Sequence, residues 1–100
     1  MRNMGHDVSG YLKADAGHNN EVAYLRRAAW DDLARTIYAA LQCPELDCGC
    51  SGCGHERAFS RAELEAALAR VPEGEATERE REFLRKCLDA GADGVRIAFY

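Results

Sequence analysis

Four of the five cysteines of this chain lie within thirteen residues, together with a histidine, and these residue types suit metal chemistry. The stretch from Cys43 to His55, called the cysteine segment below, runs Cys-Pro-Glu-Leu-Asp-Cys-Gly-Cys-Ser-Gly-Cys-Gly-His. Thiolates and imidazoles are the donors that zinc prefers, and a tetrahedral site needs four of them. Residues 50–54 have the Cys-x-x-Cys-Gly form of a zinc knuckle. The sequence therefore offers Zn as its one cofactor, with a pool of ligands in Cys43, Cys48, Cys50, Cys53 and His55.

The same segment admits three other interpretations. Zinc ribbons and fingers usually separate their two ligand pairs by about a dozen residues or more, whereas here the pairs adjoin. A glycine-rich turn with small thiols needs no metal, and it would present a partner loop at Gly49, Ser51, Gly52 and Gly54. Cys50 and Cys53 form a C-x-x-C pair that suits thiol redox chemistry. Flexible N–H groups over residues 49–54 would also suit a small anionic ligand such as a phosphate or nucleotide.

Catalytic motifs are harder to find. His6-Asp7 and His55-Glu56 are acid–base pairs by type, but neighbouring side chains on an extended chain point apart. The chain has neither a Gly-x-Ser-x-Gly elbow nor a His-Glu-x-x-His helix. We therefore predict no catalytic residues and no enzyme.

Size and composition limit the class of protein. A chain of 100 residues, 47% hydrophobic and 30% charged, is expected to form one domain over residues 1–100. Its net charge of −4 argues against a nucleic-acid partner. The sequence has no apolar run of about 18 residues and no signal peptide. We therefore expect no membrane partner and a cytoplasmic location, where thiols stay reduced.

Hydrophobic periodicity predicts the elements that must position the cysteine segment. Trp30, Leu33, Ile37 and Leu41 recur at helical spacing, which predicts a helix over 27–42 with Trp30 in the core and Pro44 ending it. Capping boxes at Ser60/Glu63 and Thr77/Glu80 predict helices over 61–71 and 78–90. Alternating apolar residues predict strands over 7–12, 21–25 and 94–100, with a fourth at 56–59 left open. This order, ββαααβ, indicates an α+β domain in which three helices pack on a small, mainly antiparallel sheet.

Three short stretches resemble a group of small uncharacterised bacterial and phage proteins. They are residues 5–11, Gly-His-Asp-Val-Ser-Gly-Tyr; residues 21–26, Glu-Val-Ala-Tyr-Leu-Arg; and residues 49–54 leading to Phe59-Ser60. In that group the central loop is a glycine- and serine-rich turn that need not contain cysteine. The resemblance implies no activity, cofactor or catalytic residue. It weakens the zinc interpretation, because a loop that forms without cysteine needs no metal.

The first hypothesis is a small cytoplasmic binding or adaptor protein without catalytic activity. It would hold a protein or small-molecule partner through the Gly/Cys-rich loop 43–58. The alternative is a structural zinc protein with its ligands at 43–55. A C-x-x-C redox protein and an anion-binding protein are the remaining hypotheses, and the sequence leaves partner identity and oligomeric state open.

Overall fold

The computed structural model describes residues 5–15, 17, 19–49 and 51–100. Within these ranges the chain forms a four-stranded antiparallel sheet with three helices, which confirms the predicted α+β class. The elements are β1 (Gly5–Leu12), β2 (Glu21–Ala28), α1 (Thr36–Ala40), β3 (His55–Phe59), α2 (Arg61–Arg70), α3 (Glu78–Ala90) and β4 (Val95–Phe99). Short 3-10 turns lie at Pro44–Leu46 and Glu75–Thr77. The strand left open at 56–59 is present as β3, which begins one residue earlier, at His55.

The strands lie in the order β2-β1-β4-β3, so the first and last strands are the central pair. His6 of β1 is opposite Arg27 of β2, and Val8 is opposite Phe99 of β4. Because side chains alternate along a strand, one face of the sheet meets the helices. Gly10 marks that face, since a Cβ there would meet Cys87 of α3. The core between sheet and helices includes Val8, Leu25, Ile37, Leu64, Phe83, Leu84, Ile97 and Phe99.

The two longer helices begin as predicted, but only one has the predicted cap. At α2 the Ser60 hydroxyl accepts from the Glu63 amide at 3.1 Å, and the Glu63 carboxylate accepts from the Ser60 amide at 2.8 Å. The capping box predicted at Thr77 is wrong, because Thr77 makes no side-chain cap and donates instead to the carbonyl of Pro72. Glu80 is fully buried against Arg27, so its carboxylate cannot reach back to cap the helix.

The first helix is much shorter than the predicted 27–42. Arg27 still belongs to β2, and an Asx-type turn follows in which Asp31 accepts from the Leu33 amide at 2.8 Å. Trp30, predicted in the core, is 79% exposed. The residues that recur at helical spacing therefore do not lie on one helix: they fall in a turn region after β2 and in, or just after, the short helix α1. Only the later ones, Ile37 and Leu41, pack in the core.

Helix α1 ends at Ala40, four residues before Pro44, through a Schellman motif. The Cys43 amide donates to the carbonyl of Tyr38 at 2.9 Å, and the Gln42 amide donates to that of Ala39 at 3.1 Å. Gln42 takes the left-handed conformation this motif requires, with φ of 56°. The turn directs Cys43 into the core and starts the cysteine segment. None of the helices in the described ranges has the length and apolar character needed to cross a membrane.

Candidate functional site

The cysteine segment folds against the end of the sheet where β4 finishes. Cys43 is fully buried, and Gly52 lies directly on Phe99. A side chain at Gly52 would collide with the side chain and backbone of Phe99, so this position requires glycine. Gly49 and Gly54 have φ values of 102° and 80°, where glycine is also favoured, but they face open space. Gly52 therefore fixes the loop to the sheet, and the other two glycines shape its turns.

A disulfide joins Cys48 to Cys53, whose Cα atoms are 6.1 Å apart. The Cys48 amide donates to the Ser51 carbonyl at 2.8 Å inside this small ring. The Ser51 hydroxyl accepts from the Cys53 amide at 3.2 Å and lies 3.7 Å from the Cys53 sulfur. Both cystine residues are exposed. The odd number of cysteines favoured free thiols, so this disulfide was not predicted.

The predicted zinc ligands are only partly brought together. Cys43 is buried in the core, His55 is exposed on β3, and Cys50 lies outside the described residues. In the part of the chain that the structure describes, no three His, Cys, Asp or Glu side chains are placed to hold a metal ion. Burial raises the pKa of the Cys43 thiol to about 11, which disfavours the thiolate that zinc requires. The zinc set stays a prediction, and it requires Cys48 and Cys53 to be reduced.

Beneath the cysteine segment lies a buried polar cluster that the sequence did not reveal. His6, on β1, is 1% exposed, and its Nδ1 lies 2.8 Å from the Tyr38 hydroxyl. Its Nε2 lies 3.9 Å from Oδ1 of Asp47 and has no hydrogen-bond partner among the described residues. In the sequence His6 stands out only as half of the adjacent pair His6-Asp7. His6 lies two residues before Val8 on the same strand, so both side chains face the core. This spacing is the sequence signal that predicts a buried His6.

Asp47 connects this cluster to the loop. One carboxylate oxygen lies 2.8 Å from Nε of Arg35, and the other accepts from the Gly49 amide at 2.8 Å. The Arg35 guanidinium also donates to the Gly49 carbonyl at 3.2 Å. The Asp47 side chain is only 9% exposed. Charge-assisted hydrogen bonds thus join Asp47 and Gly49, the residues on either side of Cys48, to each other and to Arg35.

The aromatic ring of Tyr38 packs between the polar cluster and the hydrophobic core. It lies 5.1 Å from that of Phe99 and meets the His6 imidazole edge-on at 5.3 Å. Burial raises the pKa of Tyr38 well above its ordinary value, and the negative charge of Asp47 raises it further. The phenol therefore stays neutral and keeps its hydrogen bond to His6 at physiological pH.

A groove of about 320 Å³ opens beside the cysteine segment, between the end of α1, β3 and α2. Its apolar lining comes from Leu41, Phe59, Ala62 and Ala66, and two arginines, Arg57 and Arg70, stand at its sides. β3 is an edge strand, and its residues 55–58 are all exposed. The loop 43–58 therefore joins three features: a disulfide-closed tip, an open strand edge and a groove.

Comparisons with protein-family models, curated proteins and solved structures found no match to this chain. The resemblance to small bacterial and phage proteins therefore stays a prediction. What the chain does has to be inferred from the geometry of loop 43–58 and the cluster beneath it.

Proposed function

We propose that this chain is a small binding protein, without catalytic activity of its own, that holds a partner at loop 43–58. The observation that carries the proposal is that the loop is anchored to the rest of the fold on one side and exposed to solvent on the other. Asp47 ties it to Arg35, and Gly52 packs on Phe99. Cys53, Gly54 and His55 are exposed on its outer side.

A loop of this kind suits recognition for a physical reason. Ordering a flexible loop on binding costs about 0.5–1.5 kcal/mol for each immobilised side chain. Here the disulfide and the Asp47 contacts impose the order before any partner arrives. More of the contact energy is then left for affinity and specificity.

The test is a binding screen followed by mapping. The 15N-labelled protein is screened against a small-molecule fragment library and against members of a random-peptide display library. We expect ligands whose amide shift changes centre on residues 43–58. The variant Asp47→Asn should weaken them, because it removes the charge that Arg35 holds. Glu65→Gln, on the exposed face of α2, is the matched control and should bind as the wild type does.

Two results would reject this function. Ligands that all map outside residues 43–58 would place recognition elsewhere. Turnover of a bound small molecule, lost on Cys53→Ser or His55→Ala, would make the chain an enzyme.

Thiol–disulfide exchange is the second candidate, and the exposed Cys48–Cys53 disulfide favours it. In such an exchange a partner dithiol would be oxidised to a disulfide, while Cys48 and Cys53 gained two electrons and two protons. The redox hypothesis from the sequence paired Cys53 with Cys50, whereas here Cys53 is bonded to Cys48. Equilibration with glutathione buffers, read by mass spectrometry, tests this candidate. A disulfide that stays closed at every cytosolic poise would reject it.

The disulfide also bears on the predicted location and on zinc. Disulfides persist mainly in oxidising compartments, so this one favours a location outside the reducing cytoplasm that the sequence indicated. In a reducing cytoplasm Cys48 and Cys53 would be free thiols and the zinc hypothesis would reopen. Native mass spectrometry of protein purified with and without a reductant distinguishes the two, since bound zinc adds mass only to the reduced form.

A further inference from the structure

We propose that the partner enters as an extended peptide segment that pairs with the outer edge of β3 as a fifth strand. One apolar side chain of the segment fills the groove beside α2, and a carboxylate two residues away faces Arg57 and Arg70. This inference rests on the proposed function and names the chemistry of the partner.

The strand edge supplies the backbone contacts. β3 pairs with β4 on one side, through registers such as Arg57 opposite Ile97, and it is the last strand of the sheet on the other. An edge strand presents a row of N–H and C=O groups that an extended peptide can bind. The other edge, β2, is less open, because Arg79 donates to the carbonyl of Arg26 there. β3 is therefore the edge better suited to a fifth strand.

The groove supplies the side-chain contact. Along α2 its wall is formed by Ala62, Ala66 and Arg70, which recur every four residues and so follow one face of the helix. Eight residues of helix span about 12 Å, the length of three to four residues of extended chain. Leu41 and Phe59 line the groove, and its volume of about 320 Å³ is enough for a single large apolar side chain.

Charge decides which peptide fits. The Arg70 guanidinium donates to the carbonyl of Ala40 at 2.8 Å, and no carboxylate in the described ranges pairs with it. Arg57 pairs with Glu45 at 2.8 Å, but both side chains are about half exposed, so the pair contributes little and can exchange. Glu63, the one acid among the described residues that line the groove, accepts from the Ser60 amide as a helix cap. The groove therefore favours an acidic segment.

A second copy of this chain fits the edge poorly. The register in which two β3 strands overlap completely, about a two-fold axis perpendicular to the sheet, is centred on the middle residue and places Arg57 opposite Arg57. Like charges directly opposite each other destabilise an antiparallel pair. A foreign strand with an acid opposite Arg57 avoids this repulsion.

The test uses a display library of random twelve-residue peptides, selected on the intact wild-type protein and on charge-reversed variants. We expect the wild type to enrich peptides in which an apolar residue and an Asp or Glu are separated by one residue. The double variant Arg57→Glu/Arg70→Glu should bind these peptides at least about tenfold more weakly and should enrich Lys or Arg at the same position. Lys86→Glu, a single charge reversal near the opposite edge of the sheet, is the control and should select the wild-type motif. Urea unfolding of each variant verifies that it is folded.

Hydrogen exchange of the complex with the best wild-type peptide separates the inference from the function it rests on. Added protection at the amides of residues 55–59 supports strand addition. Peptides that protect only residues 48–54 would overturn the inference and leave the proposed function standing. Peptides whose charge does not follow the arginine reversal would overturn it too, as would a dimer that buries β3. No binding anywhere on residues 43–58 would reject both.

Discussion

Arg27 and His6 lie opposite each other across the pairing of β2 with β1, and both are buried, at 7% and 1% exposure. The Arg27 guanidinium meets both carboxylate oxygens of Glu80, at 2.8 and 2.9 Å, and also donates to Asp31 and to the carbonyl of Ala76. His6 has one partner, Tyr38, and its Nε2 has none in the described ranges. Two neighbouring positions on the same face of the sheet thus hold one satisfied polar group and one that is half satisfied.

The two clusters differ in how completely their buried polar atoms are hydrogen-bonded. At Arg27 every guanidinium nitrogen donates at least one hydrogen bond, and the buried charge holds β2 against α3. A buried polar atom without a partner is rare in native proteins and calls for an explanation. The unsatisfied atom of His6 points at Asp47, the residue that fastens the cysteine segment. The incompletely satisfied side chain therefore lies next to loop 43–58, whereas the satisfied one lies between β2 and α3.

The largest predicted effect breaks the satisfied cluster. Glu80→Ala should lower the free energy of unfolding by about 3–5 kcal/mol, because it leaves a buried guanidinium without its carboxylate. Urea unfolding followed by circular dichroism measures this. The double variant Arg27→Met/Glu80→Leu removes both charges and should recover most of the loss. A Glu80→Ala protein as stable as the wild type would show that the pair is not structural.

The next effect concerns the half-satisfied cluster. Tyr38→Phe should cost about 1–3 kcal/mol, because it leaves both nitrogens of a buried imidazole without a protein partner. The control is the double variant His6→Phe/Tyr38→Phe, which removes both polar partners of the buried hydrogen bond, and we expect its stability to lie within about 1 kcal/mol of the wild type. Thermal unfolding of the single and double variants makes the comparison. If the double variant proved more damaging than Tyr38→Phe alone, the imidazole would be structural, as Arg27 is.

A third prediction compares how strongly burial disfavours ionisation of two thiols, Cys43 beside Tyr38 and Cys87 on α3. Burial raises the pKa of Cys43, next to Tyr38, to about 11 and that of Cys87, on α3, to about 12. An acid with a raised pKa in the folded state keeps its proton while the unfolded chain ionises. Stability is therefore unaffected below about pH 8.5 and falls above it, by about 1.4 kcal/mol per thiol for each pH unit until the folded pKa is reached.

The measurement is unfolding at pH 8 and pH 10, for the wild type and for Cys43→Ala/Cys87→Ala. The variant should be less stable at pH 8 and should lose less stability on going to pH 10, since tyrosines and lysines titrate equally in both proteins. Equal losses in the two proteins would mean that the buried thiols ionise as freely as exposed ones.

The sequence predicted the elements whose signals are local. The capping box at Ser60 and the alternation Val95, Ile97, Phe99 placed α2 and β4 within a residue of their observed bounds. The first helix was misplaced because the decisive contact is distant. Arg27 stays in a strand so that it can meet Glu80, 53 residues away in the chain. Periodicity over a short window carries no information about such a partner.

The candidate site divides in the same way. Composition alone located the cysteine segment, but disulfide connectivity cannot be deduced from sequence, and Cys48 paired with Cys53. The cluster beneath depends on His6 meeting Tyr38, 32 residues along, and on Asp47, which is inconspicuous among the cysteines. Three separate elements form the groove beside β3, so no single stretch of sequence predicts it.

The smallest predicted effect concerns Gln42, in the turn that connects the end of α1 to the cysteine segment. Gln42 holds φ of 56° at the end of α1, a conformation that costs a residue with a side chain about 1 kcal/mol and costs glycine little. Gln42→Gly should therefore raise the free energy of unfolding by up to about 0.5–1 kcal/mol, reduced by the greater freedom of glycine in the unfolded chain. Gln42→Ala, which keeps the strain but loses the side chain, is the matched control and should not gain stability.

Because Gln42 also lines the groove, peptide binding that survives Gln42→Gly but weakens in Arg57→Glu/Arg70→Glu would assign recognition to the arginines. A Gln42→Gly protein less stable than the wild type would instead mean that the glutamine side chain stabilises the turn.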